Sequence, residues 1–110
     1  MRIYDLPVKL LCNKHLQEQH DAIHIVRNAI TNCEDSPETK RWKDNLWALG
    51  ILHMRVVNEM IDRQMPHYDS IQMSKDCCNY PLLIDSIPDQ INELMAMCND
   101  CRVNQIIWRT

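Results

Sequence analysis

The chain has one glycine and no phenylalanine in 110 residues. Glycine is the residue that left-handed turns and close backbone approaches favour, so its scarcity predicts helices joined by few tight reversals. It also excludes a glycine-rich phosphate loop. No run of about 18 apolar residues exists, which excludes an ordinary transmembrane helix. Residues 1–25 lack the basic-then-apolar profile of a secretory signal. These absences predict a soluble, cytoplasmic protein with no membrane partner. The length suits one domain with one core, residues 1–110.

An excess of positive charge is missing too. Net charge is −3 and the sequence pI is near 5.9, whereas proteins of duplex DNA usually carry a basic face, because phosphate neutralisation supplies most non-specific affinity. Six cysteines are present; with no sign of secretion, reduced thiols are the expectation. Cys98-x-x-Cys101 with Cys77-Cys78 has some of the character of a zinc site. Adjacent cysteines are poor geometry for one, however, and no His-x-x-x-His partner follows. The reading is therefore no metal and no cofactor.

What is there is helical. Asn13 is a candidate N-cap for a first helix to about Thr31, with Leu16, Ile23, Val26, Ala29 and Ile30 at helical spacing. Before it, Ile3, Leu6, Val8, Leu10 and Leu11 form an N-terminal arm, interrupted by Pro7, that should pack on the core. Asp35-Ser36-Pro37-Glu38 is a strong helix start. The second helix is expected from Pro37 to about Gln64, bent near Gly50, with Trp42, Leu46, Leu49, His53, Val56, Val57 and Met60 on one face. Pro66 stops it. Residues 66–88 read as irregular, with Pro81 and Pro88 as breakers. A third helix is expected from about Asp89 to Val103, with Ile91, Leu94, Met95 and Cys98 inward. Ile106-Ile107-Trp108 make an apolar tip. The fold class is all-α: a compact domain of three main helices whose N-terminal arm reaches the candidate site.

Two stretches carry a family resemblance. One is Met1-Arg2-Ile3 with Asn13-Lys14-His15-Leu16 and His20-Asp21-Ala22-Ile23-His24. The other is Ser36-Pro37-Glu38-Thr39-Lys40-Arg41-Trp42-Lys43, continued by Leu52-His53 and by Val57-Asn58-Glu59-Met60-Ile61-Asp62-Arg63. In order and spacing they resemble the pyrimidine dimer DNA glycosylases, over about half of the chain. The resemblance implies an unprotonated α-amine, here that of Met1, attacking the deoxyribose C1′ of a damaged nucleotide. The amine's ordinary pKa of about 7.7–8.0 suits that task. Met1 should be retained, since Arg2 is too bulky for ordinary methionine removal. The same alignment puts Ala22 where the family has its glutamate, Asp21 in place of an arginine, Lys14 in place of a glutamine and Ile25 in place of a further arginine. Trp108 and Arg109 are the faint counterpart of a basic, aromatic C-terminal segment. General acid–base help is worth about 10²–10⁴ in rate, so this pattern implies little lyase activity. Glu18, one turn before Ala22 on the same face, is the carboxylate that could substitute.

Each candidate has a plain reading beside its functional one. Arg2 is a solvated charge or a ligand contact; His15 is a cap or a ligand contact. His20 and His24, one turn apart, have the spacing of a helical metal pair, but no third ligand is evident and exposed or core-edge histidines are the better reading. His53 reads as a hydrogen-bonded structural histidine. Lys40-Arg41-Trp42-Lys43 is either a solvated helix start with Trp42 in the core or a phosphate-binding patch.

The favoured function is a non-catalytic relative of the glycosylases that binds a nucleotide-type ligand. Its specific form is a phage or viral anti-defence protein, an oligomeric sponge in the host cytoplasm for a nucleotide immune signal. Arg2, Lys14, His15 and Arg41 would hold phosphate, with Tyr4 or Trp42 stacking on the base and Glu18 at the site. The apolar tip would serve a homo-oligomer. The alternatives are a glycosylase/AP lyase working on damaged DNA through Met1, and a protein–protein interaction module.

Overall fold

The computed structural model describes residues 2–65, 80–98 and 101. Among these the chain is all-α, with no strand. The elements are α1 (Asn13–Thr31), α2 (Pro37–Trp42), α3 (Leu46–Asp62) and α4 (Ile87–Met97), preceded by an arm holding one 3-10 turn at Val8–Leu10. None of the described helices is long and apolar enough to cross a membrane.

The arm packs as its pattern predicts: Ile3, Leu6 and Leu11 are buried, and Val8 and Leu10 lie against the core. Leu16, Ile23 and Val26 of α1 meet Trp42 of α2, and Leu49, Val56 and Met60 of α3, in one cluster that α4 completes with Ile91 and Leu94. α2 starts on a full capping box. The Thr39 N–H donates to Ser36 Oγ at 3.2 Å, and the Ser36 N–H to Thr39 Oγ1 at 2.7 Å.

Five expectations need correction. The second helix is not continuous from Pro37 to Gln64, and the interruption is not at Gly50, which is buried inside α3. The break falls at 43–45, where Asn45 leaves helical geometry (φ −132°, ψ 40°) and its side-chain amide donates to the Arg41 carbonyl at 3.0 Å. A short amide that bonds nearby backbone competes with the helix ladder. Pro88 does not break structure; it lies in the first turn of α4, where its missing N–H costs nothing, and Ser86 caps that helix through the Asp89 N–H. α4 ends at Met97 rather than Val103, because Cys98 turns extended (φ −146°, ψ 127°). Met95 faces outward at 46% exposure, and Gln90 takes the inward place. The N-cap of α1 is Cys12, one residue before Asn13.

With no glycine after either helix, α1 and α3 end on left-handed Cys33 (φ 58°) and Gln64 (φ 60°). Both form the reversed hydrogen bonds of a helix C-terminus: Glu34 N–H to Ala29 O at 2.9 Å, and Met65 N–H to Met60 O at 2.8 Å. The apolar tip 106–108, Pro66 and Cys77-Cys78 lie outside the described residues.

Candidate functional site

The arm is held by buried amides. Gln19 of α1 accepts the Tyr4 N–H through Oε1 at 2.9 Å and donates Nε2 to the Tyr4 carbonyl at 2.8 Å. Gln90 of α4 accepts the Asp5 N–H at 2.7 Å and donates to Asp5 Oδ2 at 3.0 Å. Each glutamine does what a neighbouring strand would do, satisfying backbone that would otherwise be buried unpaired. Arg63, at the end of α3, adds bonds to the carbonyls of Leu11 (2.7 Å) and Lys9 (3.2 Å).

Between the arm and α1 lies a cavity of about 300 Å³ that brings Arg2, Tyr4, His15 and Glu18 together, with Asp21 and Ala22 completing its wall. Four of the candidate ligand residues thus converge where the amino end arrives. Met1 itself lies outside the described residues. Arg2 is already engaged, with Nη1 on Asp85 at 2.6 Å and Nε near Glu93 at 2.9 Å, and its guanidinium lies 5.0 Å from the centre of the Tyr4 ring. Burial, helped by Glu93, pushes the Tyr4 phenol above its ordinary range, so it is a neutral hydroxyl at physiological pH. Glu18 is exposed, and its Oε2 lies 3.8 Å from His15 Nε2. The described groups around the cavity are thus one paired cation against the carboxylates of Glu18 and Asp21.

The other three candidates are elsewhere. Lys14 lines a separate polar groove with Lys9, Asn13, Asp62 and Arg63. Arg41 and Trp42 are core residues, at 8% and 0% exposure. Arg41 is ion-paired with Asp5 and with Glu38, and its Nε donates to the Leu82 carbonyl at 2.8 Å. Trp42 Nε1 donates to Glu38 at 2.9 Å, and Tyr80 completes the group by bonding Asp5. The basic run at 40–43 therefore contains one cation that answers two buried carboxylates. Such partners offset the desolvation of a buried guanidinium, and its planar fork serves several acceptors at once.

Among the described residues, two clusters have metal-ligand chemistry. Cys12, His15, Cys98 and Cys101 place one ligand atom each within 4.8 Å of one another, as do His20, His24 and His53. His20 is buried, not exposed, and neither ring nitrogen has a hydrogen-bond partner. His53 supplies the third ring that α1 alone could not; its Nε2 lies 3.1 Å from that of His24. Cys98 and Cys101 face Cys12 and His15. Burial pushes the Cys101 thiol up to about 12.

Sequence reasoning missed Gln19, Gln90, Asp85 and Glu93, which fix the arm. It also missed Cys12, although Cys12-x-x-His15 has the same two-residue spacing as Cys98-x-x-Cys101. That shared spacing was the available signal. The acids and amides carried none, because their partners lie 15 to 91 residues away in the chain.

A small helical protein whose N-terminal arm lies across its first helix, beside a cavity at the amino end, is the class defined by this geometry. Residues 1–73 match the family model described as pyrimidine dimer DNA glycosylase, and the chain belongs to that family. No curated protein and no solved structure matches the chain.

Proposed function

We propose that the chain binds an extruded nucleotide, or the sugar of an abasic site, in the cavity beside its amino end and leaves it unchanged. One observation carries this reading: at Ala22 the cavity wall presents a methyl group where the family resemblance calls for a carboxylate. A site without its proton-transfer group can still hold a ligand, while losing the rate that general acid–base help supplies, typically about 10²–10⁴. The cavity lies at the small end of the usual range for ligand pockets, roughly 300–1,000 Å³. Arg2 is neutralised, and Lys14 and Arg41 face elsewhere. This favours recognition of base and sugar over a phosphate-rich ligand. Damaged DNA is the partner that the family's description suggests. A viral protein that sequesters a nucleotide signal fits the same reading if the base and sugar enter the cavity.

The test uses a duplex carrying a tetrahydrofuran abasic analogue, followed by fluorescence anisotropy, and a natural abasic duplex with borohydride. Binding without a covalent adduct is the expected result. An adduct on the Met1 peptide would favour the second reading, an AP lyase working through the Met1 amine. That reading is supported by the exposed Glu18 carboxylate in the same cavity. Failure to bind either duplex or mononucleotides would overturn both.

A further inference from the structure

We propose that Cys12, His15, Cys98 and Cys101 form a zinc site that ties the start of α1 to the end of α4. Zinc bonds of about 2.3 Å to sulfur and 2.0–2.1 Å to nitrogen, arranged tetrahedrally, require edges of roughly 3.8 Å between sulfurs and 3.5 Å between sulfur and nitrogen. The structure has Cys12 Sγ to Cys98 Sγ at 3.7 Å, Cys101 Sγ to His15 Nδ1 at 3.4 Å and Cys12 Sγ to His15 Nδ1 at 3.1 Å. The first distance is far beyond the roughly 2.05 Å of a disulfide, so Cys12 and Cys98 are not bonded to each other. In sequence the four form two chelating pairs, Cys12-x-x-His15 and Cys98-x-x-Cys101, each with the two-residue spacing of structural zinc sites.

The surroundings agree with that assignment. The Cys12 N–H donates to Cys101 Sγ at 3.2 Å, the kind of bond that supports a thiolate ligand. His15 turns Nδ1 to the sulfurs and Nε2 toward the Glu18 carboxylate at 3.8 Å. A carboxylate on that far side favours the tautomer that leaves Nδ1 for a metal. Cys12 is the N-cap of α1 yet makes no capping bond with its side chain, which is turned to His15 instead. Cys98 is the point at which α4 abandons helical geometry, so that Cys101 can lie buried beside His15. Three sulfurs and one imidazole in a tetrahedron select zinc among the common divalent ions. With four protein ligands the site is closed, so it serves structure and leaves no position for a reacting water. It also makes His15 a ligand whose far edge, not its metal-facing nitrogen, borders the cavity.

The full-length chain, purified without chelator from zinc-supplemented medium, is expected to carry about one zinc per chain by mass spectrometry of the elements. Cobalt substitution should give thiolate-to-metal charge-transfer bands and strong tetrahedral d–d absorption. Cys98→Ser and Cys101→Ser should lose the zinc, while Cys33→Ser, at an exposed cysteine outside the cluster, keeps it. Where a variant fails to fold, the cobalt spectrum of the unaltered chain decides. An absence of zinc after reconstitution, a cobalt spectrum without thiolate bands, or a Cys12–Cys98 disulfide in freshly isolated protein would each overturn the assignment.

Discussion

Gln19 holds Tyr4 by both ends of its peptide, accepting the N–H at 2.9 Å and donating to the carbonyl at 2.8 Å. A single buried side chain on α1 thereby sets how the amino-terminal arm approaches the cavity. Leucine at this position fills similar space but leaves two backbone groups buried and unpaired. Gln19→Leu should therefore destabilise the chain by about 2–6 kcal/mol, at roughly 1–3 kcal/mol for each unsatisfied group. Urea unfolding followed by circular dichroism checks this; a change below about 1 kcal/mol would mean that the arm is held by its apolar contacts alone.

The Arg41 side chain is buried between the carboxylates of Asp5 and Glu38. Arg41→Met keeps the length of the side chain and strands both acids. Removing one partner from a buried ion pair typically costs about 3–5 kcal/mol, so the expected outcome is a chain that is largely unfolded at ordinary temperature. The neighbouring Lys40, which is 70% exposed and 3.7 Å from Asp35, should tolerate Lys40→Met with less than about 1 kcal/mol lost. Equal effects of the two substitutions on the melting temperature would refute the assignment of Arg41 to the core.

The left-handed helix ends at Cys33 and Gln64 are places where a glycine is missing. An L-residue there carries a strain of roughly 1–2 kcal/mol, offset in part by the larger entropy of an unfolded glycine. Gln64→Gly should raise stability by about 0.5–1 kcal/mol, and Cys33→Gly by a similar amount. Differential scanning calorimetry would detect the rise in melting temperature.

Arg2 is shared by Asp85 and Glu93, all three groups being partly exposed. The double variant Asp85→Asn, Glu93→Gln should cost no more than about 1–2 kcal/mol, since exposed pairs are worth little each. It should also release the guanidinium for phosphate. Binding of a 5′-phosphorylated nucleoside by calorimetry would strengthen in the variant and weaken again as salt is raised. Unchanged affinity would show that Arg2 does not reach the ligand.

Ala22 offers the complementary gain. If the missing carboxylate limits chemistry, Ala22→Glu should raise the yield of borohydride-trapped adduct on an abasic duplex by a factor of order 10² or more. Equal trapping with alanine and glutamate would place the defect elsewhere.

The helices, their apolar faces and the packing of the arm were legible in the sequence, because helical spacing and capping are local. The break at Asn45 was not, since asparagine's competition with the helix ladder is weak until Arg41 and Trp42 are fixed in the core. Arg2 and His15 were singled out by family resemblance, Glu18 by its place one turn before Ala22 and Tyr4 as an aromatic in the arm; all four line one cavity. Arg41 read as a surface cation because its acids come from Asp5, far back in the arm, and from Glu38, which looked like an ordinary first-turn residue. The partners of Cys98-x-x-Cys101 were equally hidden: Cys12 and His15 lie at the other end of the chain, and only the fold brings them together.

The arm is made before Tyr80, Asp85, Gln90 and Glu93, which help to fix it, and before Cys98 and Cys101. All of them lie beyond residue 73, where the family match ends. A nascent chain halted after α3 would therefore hold the arm through Gln19, Arg41 and Arg63, but with Arg2 short of its carboxylate partners. The walls of the cavity come from the arm and α1, but Arg2 at its edge is neutralised only once Asp85 and Glu93 arrive.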